Sequence, residues 1–260
     1  MNALHMTGAG NDFVVLDARE KALDFETLAK NLCAQTGADG LLALDTSDQE
    51  DFKLHFYNSD GSRGEMCGNG ARCICKYAYD HGIAGETMSV ETDAGTIYGT
   101  RLGPDRYRVQ LNNPGEVQLQ CRPDGAYVEL GCPGIPHSVT ECPELEWQDK
   151  ERLLPAFMEL WNATEFSKGV NVNFYRWLSK DSVRILTFER GVDDFTLACG
   201  TGSASVAVVL WLEGKLPGGH LRVENPGGTL EIRLEGQNGQ VTALYLEGPA
   251  EVLGQLDIFS

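Results

Sequence analysis

Short apolar runs alternate with three helix-like stretches. Phe13–Asp17 is an apolar run bounded by turn residues and predicts a strand, as do Leu41–Leu44 and Phe52–Tyr57. Asp24 can cap a helix carrying Phe25, Leu28 and Leu32 on one face. From Gly68 to about Asp80 the pattern predicts a helix, with Gly82 as its stop. Met88–Thr92 and Thr96–Leu102 flank an Asp-Ala-Gly turn and predict a hairpin. Further on, Ser203–Leu212 is apolar nearly all round and ends at Gly214. A helix without a polar face is normally enclosed, so strands must wrap it. The expected class is α+β: two pseudo-symmetric domains, each a curved mixed or antiparallel sheet around a central helix, with the active site in the cleft between them.

The pseudo-symmetry comes from an internal repeat. Leu54–Gly70 aligns with Leu186–Gly202 without a gap, so Phe56 meets Phe188, Asn58 meets Arg190 and Cys67 meets Cys199. Val90–Tyr98 resembles Val223–Glu231, and Gly10–Leu16 loosely resembles Val170–Phe174. A repeat this long is a duplicated domain rather than a solenoid. The expected halves are 1–113, carrying Cys67, and 114–248, carrying Cys199. Asn112–Gly115 is the expected crossover, and the segment of about 249–260 is expected to return to the first half.

Length and composition agree with this division: 260 residues suit two domains, and a 42% hydrophobic content is ordinary for a globular chain. The net charge of −17 repels phosphate backbones and anionic lipid, which argues against nucleic-acid and membrane partners. Met1–His5 lacks the basic start of a secretory signal, and no stretch is long and apolar enough to span a bilayer, so a cytoplasmic location is expected. The eight cysteines match no paired zinc spacing, and Cys33, Cys73 and Cys75 fall within apolar-patterned helices as small core residues.

Cys67 and Cys199 differ from the others. Each heads a Cys-Gly-x-Gly turn at a helix start, among unpaired N–H groups and the positive end of the helix dipole. That setting favours thiolate over thiol. The glycine turns leave N–H groups to bind a carboxylate, and two such turns on opposite sides of one ligand suit proton exchange at the carbon beside it. One thiolate would remove the α-proton and the other thiol would deliver one to the opposite face. The bland alternative is a small residue filling a tight turn, which a repeated pair disfavours. Asn11 and Asn58 stand in turn-like contexts where Asn also bonds local backbone. Asn171, between apolar strand residues, favours a ligand role. Glu189-Arg190 reads either as a surface pair or as a substrate-reading arm, and His137 on its own merits as a loop histidine.

The chain resembles the diaminopimelate epimerase family of cofactor-independent amino acid racemases. The resemblance rests on Met6–Phe13, Gly37–Leu42, Tyr57–Gly61, Met66–Cys73, Glu189–Gly191 and Ala198–Gly202, in that order. It implies Cys67 and Cys199 as the base and acid, with no pyridoxal phosphate and no metal. It further implies that Gly68, Asn69, Gly200 and Thr201 hold the reacting carboxylate through backbone N–H groups. Asn11, Asn58, Asn171, Glu189 and Arg190 would recognise the rest of a small amino acid substrate, His137 and Glu189 would tune the thiols, and the assembly would be a homodimer. The implied reaction interconverts LL- and meso-2,6-diaminopimelate, for lysine and peptidoglycan precursor synthesis. Three departures bear on specificity: Gly40 stands where many members carry Gln, Ile135 where many carry Asn, and Val192–Leu197 is one residue longer than usual. Two other readings stay open on the residues: a racemase of another amino acid such as histidine, and a non-catalytic two-domain thiol redox or binding protein.

Overall fold

The structure is a computed structural model that describes residues 2–19, 21–64, 67–123 and 125–257. Met1, Met66 and residues 258–260, which enter the sequence reading above, lie outside the described residues. The chain divides into two compact units, within Met1–Gln110 plus Glu247–Ser260 and within Leu111–Leu246.

The first unit runs β1 (Asn2–Gly8), β2 (Asn11–Asp17), α1 (Phe25–Thr36), β3 (Gly40–Asp45), β4 (Phe52–Asn58), β5 (Arg63–Gly64), α2 (Gly68–Asp80), β6 (Thr87–Thr92), β7 (Gly95–Gly103) and β8 (Arg106–Leu111). The second runs β9 (Pro114–Arg122), β10 (Gly125–Gly131), β11 (Gly134–Glu141), α3 (Lys150–Trp161), β12 (Asn171–Ser179), β13 (Ser182–Glu189), β14 (Asp194–Phe195), α4 (Gly200–Leu212), β15 (His220–Asn225), β16 (Gly228–Gln237) and β17 (Gln240–Pro249). The last strand, β18 (Glu251–Asp257), pairs antiparallel with β1.

Local chemistry accounts for the anticipated elements. Asp24 caps α1 by accepting from the Thr27 backbone N–H at 3.2 Å and the Thr27 hydroxyl at 2.7 Å. α1 then lays Ala29, Leu32 and Cys33 on the Val14, Leu16, Leu41 and Ala43 face of the sheet. The Asp93-Ala94 turn brings Thr92 opposite Gly95 and joins β6 to β7. α4 is buried continuously from Gly202 to Leu210, packed against β9, β10, β11, β12, β15 and β16, as a helix without a charged face requires. α2 occupies the equivalent place against β1, β2, β3 and β7. Among the described residues no helix is long and apolar enough to cross a membrane.

Both units follow one connectivity. In the first, β2 and β3 are parallel across α1, β3 and β4 antiparallel, and β4 and β6 parallel across α2. In the second, β11 and β12 are parallel across α3, β12 and β13 antiparallel, and β13 and β15 parallel across α4. This pairing corrects the repeat in two places. First, β2 corresponds to β11, not to the segment after Val170; that segment is β12, the counterpart of β3. Two short apolar strands in a β-α-β unit look alike in sequence. Second, the alignment ahead of the cysteines is not gap-free. Leu42 pairs with Phe56, and its counterpart Asn173 pairs with Thr187. Phe56 therefore corresponds to Thr187, and Asn58 to Glu189 rather than Arg190. The extra residue lies in the turn between β13 and β14. Alternate residues of a strand face opposite sides, so a one-residue slip would have put α2-facing positions against α3-facing ones.

Candidate active site

In the first unit the α2 head is a network of polar side chains. Cys67 is the N-cap of α2 and is half-buried. Arg72, one turn on, is fully buried. Its guanidinium donates to Asn69 Oδ1 at 2.9 Å, to the Gly68 carbonyl at 3.2 Å and to the Pro249 carbonyl at 3.2 Å. Burial lowers its pKa to about 10, so it remains a cation at neutral pH. Asn69 Nδ2 donates to Asn11 Oδ1 at 2.5 Å, and Asn11 Nδ2 donates to Asp39 at 3.2 Å. Asn11 and Asn69 are thus joined, whereas the Asn58 amide donates to Ser62 Oγ at 2.9 Å within its own turn. Beneath the turn Gly70 packs on Phe13 and Leu42: a Cβ there would meet Leu42 at 3.1 Å. Gly40 has no room for a side chain, since a Cβ would lie 2.7 Å from the Tyr57 carbonyl.

In the second unit Cys199 caps α4 and is 4% exposed. Its Sγ accepts from the Gly202 N–H at 3.4 Å and lies 3.5 Å from the Thr201 hydroxyl. Glu189, at the end of β13, places its carboxyl against the thiol. Burial first, and then the Glu189 charge, push the Cys199 pKa well above the ordinary thiol value, outweighing the N–H donors of the helix head. The expectation that the helix start favours thiolate is therefore overturned for Cys199, which is a thiol in this state. Burial raises Glu189 as well.

Across β11, β12 and β13, His137, Asn171 and Glu189 stand in register, so their side chains share one sheet face. Asn171 is satisfied by backbone: Nδ2 donates to the Pro136 carbonyl at 2.9 Å and Oδ1 accepts from the Arg190 N–H at 2.8 Å. The Arg190 side chain is exposed and donates to the Lys168 carbonyl at 2.6 Å. His137 is fully buried, which, with the nearby Arg190 charge, lowers its pKa to about 3 and keeps the imidazole neutral. Ile135 stands at the position equivalent to Asn11 and is 38% exposed.

Two residues of this face escaped the sequence reading. Asn173 is fully buried and bonds His137, Ser138, Asn171 and Thr187. Thr187 and Asn173 also set the approach of α4, since a Cβ on Gly202 would collide with Asn173 Oδ1 and lie 3.2 Å from Thr187 Oγ1. The signal was present as polar residues two apart, Asn171 and Asn173, then Thr187 and Glu189, on one side of otherwise apolar strands. Cys33, Cys73 and Cys75 are core thiols, raised by burial to about 11, 12 and 12. Among the described residues no group of three or more His, Cys, Asp or Glu is arranged to hold a metal ion.

Comparison with known proteins places this geometry in a family. The diaminopimelate epimerase family model matches residues 3–123 and 132–253. The chain belongs to the diaminopimelate epimerase family. Its relatives include the diaminopimelate epimerase of Aquifex aeolicus, 37% identical over 80% of this chain and 81% of that one. Another is the diaminopimelate epimerase of Chlorobaculum tepidum, 34% identical over 95% and 97%. Among solved structures, a phenazine biosynthesis protein of the PhzF family from Bacillus anthracis superposes with a TM-score of 0.77 at 13% identity, covering 100% of this chain and 99% of that one. A probable proline racemase from Agrobacterium radiobacter superposes with a TM-score of 0.72 at 14% identity, covering 99% and 92%. These two likenesses concern the fold. Family membership makes the protein an isomerase of the amino acid epimerase type.

Proposed function

We infer that this protein interconverts LL- and meso-2,6-diaminopimelate by exchanging the α-proton between Cys67 and Cys199, without pyridoxal phosphate or metal. The observation that carries this reading is the buried Cys199 thiol at the head of α4, held protonated beside Glu189 and supplied with N–H donors by its glycine turn. A thiol so held is a proton donor. In one direction Cys67, as thiolate, takes the α-proton: the C–H bond breaks, an S–H bond forms, and the electron pair passes into the α-carboxylate. Cys199 gives its proton to the opposite face, which inverts the centre and leaves Cys199 as thiolate, and the reverse reaction exchanges the roles. Between turnovers Cys67 releases to solvent the proton it took, and Cys199 regains one from solvent by way of Glu189, whose pKa burial raises.

The carbanion needs strong preorganised support. Backbone N–H groups of Gly68, Asn69, Gly200 and Thr201 supply it at the reacting carboxylate, and Asn11, Asn58, Asn171, Glu189 and Arg190 read the distal amino acid group. The joined pair of Asn11 and Asn69 supports such a role for the first unit. His137, being neutral, contributes through hydrogen bonding rather than charge. The reading also takes the protein to act in the cytoplasm, as a homodimer.

The test is incubation with LL-diaminopimelate, and separately with single L-amino acids including histidine, in deuterated water under reducing conditions. The expected result is α-deuterium on diaminopimelate together with meso product. Exchange on a single amino acid and none on diaminopimelate would overturn the substrate. No exchange on any would overturn the chemistry.

A further inference from the structure

The positions beneath the Cys199 turn that correspond to Phe13, Leu42 and Phe56 of the first unit are His137, Asn173 and Thr187. Three polar side chains have thus been buried where an apolar floor serves the other turn. Burying them is unfavourable unless every donor and acceptor finds a partner. Asn173 meets nearly all of that demand. Its Nδ2 faces the Ser138 carbonyl at 2.9 Å and the Asn171 carbonyl at 3.1 Å, and its Oδ1 accepts from the Thr187 hydroxyl at 2.9 Å. Two carbonyls on one side fix which end of the amide is nitrogen, because the reverse orientation would set oxygen against oxygen. The same Nδ2 lies 3.2 Å from His137 Nδ1. The two hydrogens of that amide are shared among three acceptors, and an amide nitrogen cannot itself accept, so an Nδ1 facing it is the unprotonated nitrogen and in a neutral imidazole the proton is then on Nε2. His137 Nε2 is buried and has no hydrogen-bond partner among the described residues.

We propose that Asn173 is a positioning residue that locks His137 in the Nε2–H tautomer, leaving one buried N–H donor for an anionic group bound at the head of α4. The donor shares its sheet face with Glu189, which touches Cys199. A carboxylate on the N–H groups of Gly200 and Thr201 is the anion this arrangement accepts. The identity of that carboxylate rests on the proposed function; the tautomer does not.

The experiment follows His137 by long-range ¹H–¹⁵N correlation in ¹⁵N-histidine-labelled full-length protein, assigned with His137→Gln. Without substrate, the expected pattern is that of a neutral Nε2–H tautomer, unchanged between pH 5.5 and 9. A proton on Nδ1, or titration within that range, overturns the proposal, whatever the activity on diaminopimelate. Adding LL-diaminopimelate should shift the Nε2–H signal, and an unmoved signal at saturation overturns the anion assignment alone. Asn173→Asp offers an acceptor to Nδ1 and should move the proton there, with kcat falling on the order of 10²-fold while KM changes less. A loss of kcat in folded Asn173→Asp with the Nε2–H pattern intact would reduce Asn173 to a packing residue. Should Asn173→Asp not fold, the wild-type pattern and Asn173→Ser decide in the same way.

Discussion

The same backbone device, a cysteine capping a glycine-rich helix start, is supported differently in the two units. Under the Cys67 turn lies an apolar floor, with Phe13 and Phe56 meeting edge-on at 6.3 Å between ring centroids and Gly70 resting on Leu42. The polar grip there comes from the helix itself, through Arg72. Under the Cys199 turn the floor is His137, Asn173 and Thr187, the helix has Ala204 where α2 has Arg72, and the charge beside the thiol is the Glu189 carboxyl. A buried cation faces Cys67, Cys73 and Cys75 in one unit, and a buried carboxyl faces Cys199 in the other. Duplication preserved the cysteine-capped, glycine-rich helix head. Divergence of the surroundings gave the two thiols different electrostatics.

The largest effect should come from removing either thiol. Cys67→Ala and Cys199→Ala should each lower kcat for epimerisation by about 10³-fold or more, measured as meso product formed from LL-diaminopimelate. A variant that still inverts the centre at near wild-type rate would make the two turns unequal in function as well as in support. Next, Arg72→Met should cost about 3 kcal/mol of stability in urea unfolding, because a buried fork bonded to Gly68, Asn69 and Pro249 is lost together. A change below about 1 kcal/mol would show that the first turn does not depend on that cation.

His137 predicts a smaller, pH-dependent term. Its native pKa is lowered to about 3 from 6.5. Below pH 6.5 the unfolded state therefore binds a proton that the native state refuses. The stability present above pH 6.5 is lost as pH falls towards 3, by about 2 kcal/mol at pH 5. His137→Phe, which copies Phe13, should flatten that part of the acid limb. An unchanged slope would mean that the polar floor carries no such penalty. The smallest effect concerns Glu189→Gln. With the negative charge gone, the Cys199 pKa falls, more thiolate is present at pH 8, and iodoacetamide should label Cys199 several-fold faster, read by mass spectrometry. Slower labelling would reverse the sign assigned to Glu189.

Much of the site was legible because its elements carry local signals. Asp24, Gly68 and the uncharged Ser203–Leu212 stretch announce helix ends and burial through capping, turn chemistry and periodicity. The family motifs around Cys67 and Cys199 are contiguous and survive any uncertainty about pairing. Less legible were residues whose meaning depends on a strand's face. Asn173 and Thr187 look like solvent-side positions in an alternating strand, and only the register with β11 and the approach of Gly202 show them beneath a helix. The thiolate expectation for Cys199 failed for a related reason. The N–H donors are local and visible in sequence, but the desolvation that outweighs them comes from the whole unit packed around α4.

By itself, then, the sequence determined that this protein is duplicated, that each half buries one central helix, and that a thiol stands at the head of each. Tertiary structure decided where the halves correspond, matching Asn58 in sequence position to Glu189 by one extra residue after β13. It also decided that one thiol rests on an apolar floor and the other on a polar one beside a carboxyl. Capping and periodicity act within a few residues of the chain. Strand register, burial and the protonation they impose arise only between residues that folding brings together.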